Sequence, residues 1–148
     1  PQGPLIVQWI EPNQPVSVIT RVGSIMPLLN SATGRAYGAF MAEEMVRPLM
    51  ELEWQHKLAQ GQQVYPENWS AFLTLKHEIL QQGMATVSGD LLAGVNAICV
   101  PIFNANQDVE FCISALGSEC QLPIDASHPH VQALISTAQA LTQLMTSA

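Results

Sequence analysis

The stretch AGVNAICVPIFNANQDVEFCISALG, residues 93–117, carries the strongest β-strand pattern in the chain. Residues 95–103 are rich in β-branched and aromatic side chains and form a run too short for a typical helix. The polar residues 104–108 that follow have the composition of a turn, and residues 109–116 then alternate with a period of two. The stretch predicts a β-hairpin at the core of a sheet.

The alternation places Ser114 on the opposite face of its strand from Phe111 and Ile113. Its hydroxyl would then stand among small residues. Two interpretations stay open at this point. Ser114 is either a hydrogen-bonded core serine or part of the floor of a pocket.

Outward from the hairpin, two further strands are predicted near the start of the chain, at residues 5–10 and 16–21, with 11–15 as their turn. A short strand is predicted at 84–87. Helices are predicted from Asn30 or Ser31 to about Phe40, over 42–59 with a break or kink near Arg47 because of Pro48, over 66–82 ending at Gly83, and over 127–145. An antiparallel sheet flanked by helices is an α+β fold.

The start of the first predicted helix is built from small residues, since Ser31, Ala32, Thr33 and Gly34 follow one another. Its free backbone N–H groups would be open to a ligand, and the helix dipole would favour an anion there. Close packing of a small-residue helix on the sheet explains the glycines equally well. The two interpretations are compatible.

The composition bounds the class of protein. A chain of 148 residues suits one domain, and its 48 % hydrophobic residues come with only 11 % charged residues, against roughly 25 % in an ordinary soluble domain. Surface covered by a partner, by a second copy or by a part of the protein absent from this chain would explain this. We expect a dimer or tetramer joined by helix faces around residues 41–58. No apolar run approaches the roughly 20 residues needed to span a bilayer, so no membrane insertion is expected.

The charge argues against nucleic-acid binding by this chain alone. The net charge is −7, and the five basic residues occur singly: Arg21, Arg35, Arg47, Lys57 and Lys76. The three cysteines lie in or near predicted strands and show no CxxC spacing, which favours buried free thiols in a reducing cytoplasm over a disulfide framework.

No pattern of catalytic residues is complete. The four histidines are dispersed without metal-ligand spacing, and neither a nucleophile elbow nor a phosphate loop is present. Asp90 is the one carboxylate near the expected pocket, which is weak support for acid–base chemistry. We therefore expect no enzyme activity, no metal and no cofactor.

Four blocks of the sequence resemble the effector-binding domain of IclR-type transcriptional regulators. Residues 21–28, RVGSIMPL, and 31–36, SATGRA, are similar to the family pattern RxGSxxPL followed by AxG(K/R)A. Residues 94–103, GVNAICVPIF, and 113–117, ISALG, resemble the later family blocks GxxxIAAPVxD and SxxG. The spacing of the blocks also agrees, so the resemblance covers nearly all of residues 5–145.

The resemblance implies that residues 1–148 form a GAF-like effector-binding domain whose protein contacts DNA through an N-terminal winged helix-turn-helix domain absent from this chain. It implies a pocket for a small organic acid between the sheet and the first helix. The residues it assigns to that pocket are the backbone of Ala32 and Thr33 for a carboxylate, Val87, Ala97 and Ser114 as lining, and Leu28 and Ile98 as apolar wall.

Three positions depart from the family pattern. Val87 stands where an acidic residue is common, Ala97 where a cysteine or small polar residue is common, and Asn104 where an aspartate is common. These departures predict a less polar pocket and a mostly apolar acid as effector. A GAF-like domain of another signalling protein, or a small enzyme, remains the alternative.

Overall fold

The computed structural model describes residues 3–11 and 20–147. In chain order its elements are α1 (Ala32–Phe40), α2 (Glu43–Ala59), α3 (Trp69–Gln82), β1 (Ala85–Ser88), β2 (Val95–Phe103), β3 (Val109–Ser118) and α4 (Pro129–Ser147). The strands form one antiparallel sheet in the order β1-β2-β3. The predicted α+β class is confirmed.

The predicted hairpin forms the centre of this sheet. β2 pairs with β3 from Val95 opposite Ser118 to Phe103 opposite Val109, with an irregularity between Ile102 and Phe103. The Asn104 side-chain oxygen closes the turn by accepting the N–H groups of Asn106 and Asp108 at 2.9 and 3.1 Å. This contact is a side-chain version of a turn, which explains why the polar run ends the strand.

The two faces of the sheet carry different helices. Ala97 and Cys99 of β2 are buried together with α1 and part of α3, whereas Ile98, Val100 and Ile102 are buried with α4. The strand period of two separates these sets, so both faces of β2 are covered and most of the strand is buried. The α1 face is lined by smaller side chains, and it is the face beside which a cavity lies.

Helix α1 begins as predicted. Ser31 is the N-cap, and its hydroxyl oxygen accepts the N–H of Gly34 at 2.9 Å while donating to the Pro27 carbonyl at 2.6 Å. Gly34 lies against the backbone of Pro27 and Leu28, which leaves no room for a side chain. The small first turn therefore serves close packing, one of the two roles that the sequence left open.

The predicted break in α2 does not occur. The helix runs from Glu43 to Ala59 with Pro48 inside it. Proline removes only one helical hydrogen bond here, in the second turn, and the fully buried Val46 and Met50 hold the segment against its neighbours. Tertiary packing thus outweighs the local cost of the proline.

The predicted first hairpin needs correction. Residues 12–19, which include most of its turn and second strand, lie outside the described residues. In the described part, residues 5–10 form no strand beyond a bridge from Leu5 to Ile25, flanked by hydrogen bonds from Ile6 N–H to Ser24 O and from Met26 N–H to Pro4 O, each 2.9 Å. A turn that returns Ser24 N–H to Arg21 O at 3.0 Å brings residues 23–26 beside the first segment.

The remaining elements agree with the sequence. α3 starts at the N-cap Asn68, slightly later than predicted, and ends at Gly83, whose φ of 70° is a left-handed cap. α4 begins with Pro129, and its buried residues Val131 and Ala138 face the sheet. Among the residues described, no helix combines the length and apolarity that crossing a membrane requires.

Candidate functional site

A cavity of about 240 Å³ lies between the start of α1, the sheet, and the segments 20–27 and 91–95. Its walls are mostly apolar side chains, with a few polar groups at the helix end. They comprise Thr20, Ser24, Ile25, Met26, Pro27, Ser31, Ala32, Thr33, Val87, Leu91, Leu92, Val95, Ala97 and Leu116. A mostly apolar cleft with a small polar cluster is the usual form of a small-molecule site.

Four of the seven site residues expected from the sequence line this cavity. Ala32 and Thr33 lie at the helix start, and Val87 and Ala97 face them from β1 and β2, where they are direct cross-strand partners. The three positions Val87, Ala97 and Ala32 carry only small apolar side chains. The structure therefore brings the start of α1 next to Val87 and Ala97, which lie far from it in the sequence.

The other three expected residues lie elsewhere. Leu28 is almost fully buried in a cluster with Val46, Met50 and Phe72 and does not line the cavity. Ile98 points to the α4 face, because it is one residue from Ala97 in a strand. Ser114 faces α1, where its hydroxyl and that of Thr33 are 2.8 Å apart, and it does not line the cavity.

The amino end of α1 supplies the polar part of the site. Gly34 N–H is taken by the Ser31 side chain, and Arg35 N–H bonds to the Ser31 carbonyl at 2.9 Å. The N–H groups of Ala32 and Thr33 have no acceptor within residues 3–11 and 20–147. Two free donors at the positive end of a helix dipole can bind a carboxylate.

Arg35 joins the helix to three neighbouring segments. Its side chain is 4 % exposed and donates to the carbonyls of Leu29, Thr86 and Tyr65 at 2.8, 3.3 and 2.6 Å. It also pairs with Asp90 at 3.2 Å. Burial lowers the pKa of Arg35, while the Asp90 carboxylate acts to raise it, and an arginine remains charged at neutral pH. Asp90, the one acid expected near the pocket from the sequence, thus anchors the loop that precedes Leu91 to Arg35.

Glu53 is a further contributor that no sequence pattern indicated. Its carboxylate, on α2, accepts the N–H groups of Leu28 and Leu29 at 2.8 and 3.2 Å. These bonds hold the loop between Pro27 and Ser31, both of which line the cavity. Glu53 lies 25 positions from Leu28 and 24 positions from Leu29 in the chain. A contact over such a separation leaves no local signal in a sequence.

The three cysteines are free, as predicted, but they are not all buried. Cys99 is buried, Cys112 is partly buried and Cys120 is exposed. Hydrogen bonding with Cys112, together with burial, raises the pKa of the Cys99 thiol well above its ordinary value. Such a thiol stays protonated and is a weak nucleophile. Across the described residues there is no cluster of three or more potential metal ligands.

Comparison with known proteins identifies the family. Residues 2–143 match the family model described as bacterial transcriptional regulator IclR C-terminal. The chain therefore belongs to the IclR C-terminal family, a family of regulators rather than enzymes, as the sequence blocks predicted. A search of curated protein sequences finds no match.

Solved structures share the fold. The Pseudomonas aeruginosa protein HmgR superposes with a TM-score of 0.84 at 30 % identity over 98 % of this chain, which spans 56 % of HmgR. The transcriptional regulator YaiJ gives a TM-score of 0.78 at 22 % identity, covering 97 % of this chain and 80 % of YaiJ. The Thermotoga maritima IclR gives 0.73 at 17 % identity, covering 93 % of this chain and 54 % of that one.

Proposed function

We propose that this chain is the effector-sensing domain of an IclR-type regulator and that it binds a mostly apolar small organic acid in the cavity beside α1. The observation that carries the proposal is the pairing, within one cavity, of two free N–H donors on Ala32 and Thr33 with an apolar floor at Val87 and Ala97. The donors fit a carboxylate, and the floor fits a hydrocarbon body.

The size of the cavity narrows the class of ligand. A volume of about 240 Å³ lies just below the usual range of about 300–1,000 Å³ for drug-sized sites, so the ligand is small. No side chain that lines the cavity is charged. A second charged group on the ligand would therefore be buried without a partner, which disfavours dicarboxylic acids and amino acids.

A conformational change caused by ligand binding would be transmitted through the loops that form the walls of the cavity. Ser31 and Pro27 line the cavity, and Glu53 ties the same loop to α2. Binding that draws Ala32 and Thr33 toward a ligand would shift this loop and the helix bonded to it. DNA would be contacted by a winged helix-turn-helix domain outside this chain, and the regulator would act in the cytoplasm.

Thermal stabilisation by a panel of aliphatic and aromatic monocarboxylates tests the proposed function. We expect at least one acid to bind, and at about 100 times its Kd it adds about 2.7 kcal/mol, which raises Tm by about 5–10 °C. The matched amide or alcohol of that acid should give no shift, because it lacks the charge that the helix end favours. A panel in which no acid raises Tm would contradict the proposal.

Variants locate the binding site in the same assay. Ala97→Glu places a carboxylate in the cavity and should abolish the shift, but a buried glutamate also destabilises the sheet. Leu92→Glu, on the half-exposed rim, avoids this problem and should also abolish binding. Leu80→Glu, at an exposed leucine of α3, is the matched control and should keep the full shift.

We also propose that the domain self-associates through α2. Three of its large apolar side chains, Met45, Leu52 and Leu58, are exposed in the single chain. Sedimentation at high micromolar concentration should show a dimer or tetramer, and Leu52→Glu should shift it towards monomer, because it places a charge on the apolar face. Leu80→Glu again serves as control. A wild-type chain that sediments only as monomer would contradict this proposal.

A further inference from the structure

The cavity beside α1 has a buried end and an open end. Ala32 and Ala97, which line it at the start of the helix and on β2, are only 2 and 8 % exposed. Three large apolar side chains that line the same cavity, Ile25, Leu91 and Leu92, are 48, 40 and 39 % exposed. A side chain that faces both the cavity and water lies at the opening. These three side chains therefore form the mouth of the cavity, and the free N–H of Ala32 lies at its inner end.

The mouth belongs to a larger patch of exposed apolar surface. Leu5, which is 55 % exposed, is the bridge partner of Ile25, so the two side chains lie next to each other. A single half-exposed leucine on a protein surface is ordinary. Several that adjoin one another and one cavity form a contiguous patch, and such a patch is typical of a surface that a ligand covers.

The loop that carries the two leucines is held in place. Asp90, directly before Leu91, pairs with Arg35 at 3.2 Å. After the leucines, Val95 N–H donates to the Leu92 carbonyl at 3.1 Å. These contacts on both sides fix the backbone at the two leucines. Their side chains are thus a fixed part of the mouth and offer apolar surface to any ligand that extends out of the cavity.

On the basis of the proposed function, we propose that the effector is a monocarboxylic acid whose carboxylate binds at Ala32 and Thr33 and whose apolar tail extends through the mouth. Leu91 and Leu92 contact the tail and so determine the chain length that binds best. The reverse orientation leaves both N–H donors unpaired and places a carboxylate among apolar side chains, which is unfavourable. Because the tail leaves through the mouth, the acid can be longer than a closed cavity of about 240 Å³ would hold.

Chemical-shift titration of the isotope-labelled chain with straight-chain acids from propanoate to octanoate tests the proposed chain-length dependence. Burial of each further methylene should raise the affinity about fourfold, so octanoate should bind far more tightly than butanoate. The double variant Leu91→Ala/Leu92→Ala should bind octanoate about tenfold more weakly than wild type and butanoate equally well, because only the longer tail reaches the mouth. Leu73→Ala, at a leucine of α3 that is also 39 % exposed but does not line the cavity, should behave as wild type does.

A hydroxyl group at the end of the tail tests the orientation. In the proposed orientation the terminal hydroxyl of 8-hydroxyoctanoate stays in water, so its affinity should lie within about threefold of that of octanoate. A tail that points inward would bury the hydroxyl and weaken binding at least about tenfold.

The chain-length proposal is overturned if octanoate binds no more tightly than butanoate, if the double variant weakens both acids equally, or if 8-hydroxyoctanoate binds tenfold more weakly than octanoate. In each of these cases binding of butanoate at residues 32–33 still supports the proposed function. If no acid shifts the signals of residues 32–33, the proposed function is contradicted, and the chain-length proposal with it.

Discussion

Replacing Gly34 by alanine is expected to destabilise the domain by about 3 kcal/mol and to lower Tm by about 10 °C. A Cβ at this position would overlap the Pro27 carbonyl oxygen and lie 2.6 Å from Leu28 Cα. Both are backbone atoms, and their loop is held by the bonds of Ser31 to Pro27 and of Glu53 to Leu28. The loop must move for the side chain to fit. Thermal or urea unfolding measures the loss.

Gly38 in the same helix is the matched control. A Cβ there would meet the Met50 methyl group and would lie 2.9 Å from Phe72 Cζ, so it meets side chains rather than backbone. Methionine adapts readily, and alanine gains about 1 kcal/mol of helix propensity over glycine. Gly38→Ala should therefore cost far less than Gly34→Ala. If the two variants lose equal stability, the close crossing of α1 and the loop is not as described.

Replacing Arg35 by methionine is expected to cost about 3–5 kcal/mol, because three carbonyls lose a charged donor and each unpaired buried acceptor costs about 1–3 kcal/mol, whereas the Asp90 side chain, 34 % exposed, stays partly hydrated. The change leaves the Asp90 carboxylate and the carbonyls of Leu29, Thr86 and Tyr65 without their donor. Methionine has a similar length and apolar stem, so lost packing contributes little. Urea unfolding measures the difference in the free energy of unfolding between wild type and Arg35→Met, provided that the dependence of this free energy on urea concentration is the same in both proteins.

Arg47→Met provides the comparison for Arg35→Met. Arg47 is more than half exposed and pairs with Glu51 at 2.8 Å on the surface of α2. A surface pair of this kind contributes less than about 1 kcal/mol. If both variants lose similar stability, Arg35 is not the link between α1, β1 and the loops around the cavity.

The parts of the fold that local patterns determine were predictable. The hairpin of β2 and β3 follows from its β-branched runs and polar turn. The start of α1 follows from Ser31, and the end of α3 follows from Gly83. Of the break or kink predicted near Arg47, the break is wrong, because the buried Val46 and Met50 hold the helix against its neighbours despite the proline. Among the described residues, the first segment pairs with residues 23–26, next to a turn at residues 21–24.

The candidate site was predictable only where strand alternation and the helix start decide the direction of side chains. Ala32, Thr33, Val87 and Ala97 belong to such elements, and all four line the cavity. Ile98 was assigned to the wall against the strand period, which places it on the α4 face. The contacts of Glu53 with Leu28 and Leu29 arise from segments brought together by the fold, so no local pattern marks them.

The most direct test of the effector site removes one of its two N–H donors without changing the helix. Ala32 is the first residue of α1, and its N-cap Ser31 has φ −114° and ψ 148°. Proline is favoured at this position, and an extended residue before it is compatible with the ring. Ala32→Pro therefore deletes the donor while α1 remains formed. Glu43→Pro is the matched control, because it changes the first residue of α2 after Ala42, which has ψ 134°.

Calorimetric titration of the best monocarboxylate from the panel into wild type, Ala32→Pro and Glu43→Pro measures the affinity of each protein for the acid. We expect Ala32→Pro to keep the wild-type Tm to within a few degrees but to bind the acid at least about tenfold more weakly, since a charge-assisted hydrogen bond is lost. Glu43→Pro should bind as wild type does. Equal affinity in all three proteins would contradict the assignment of the carboxylate to the start of α1.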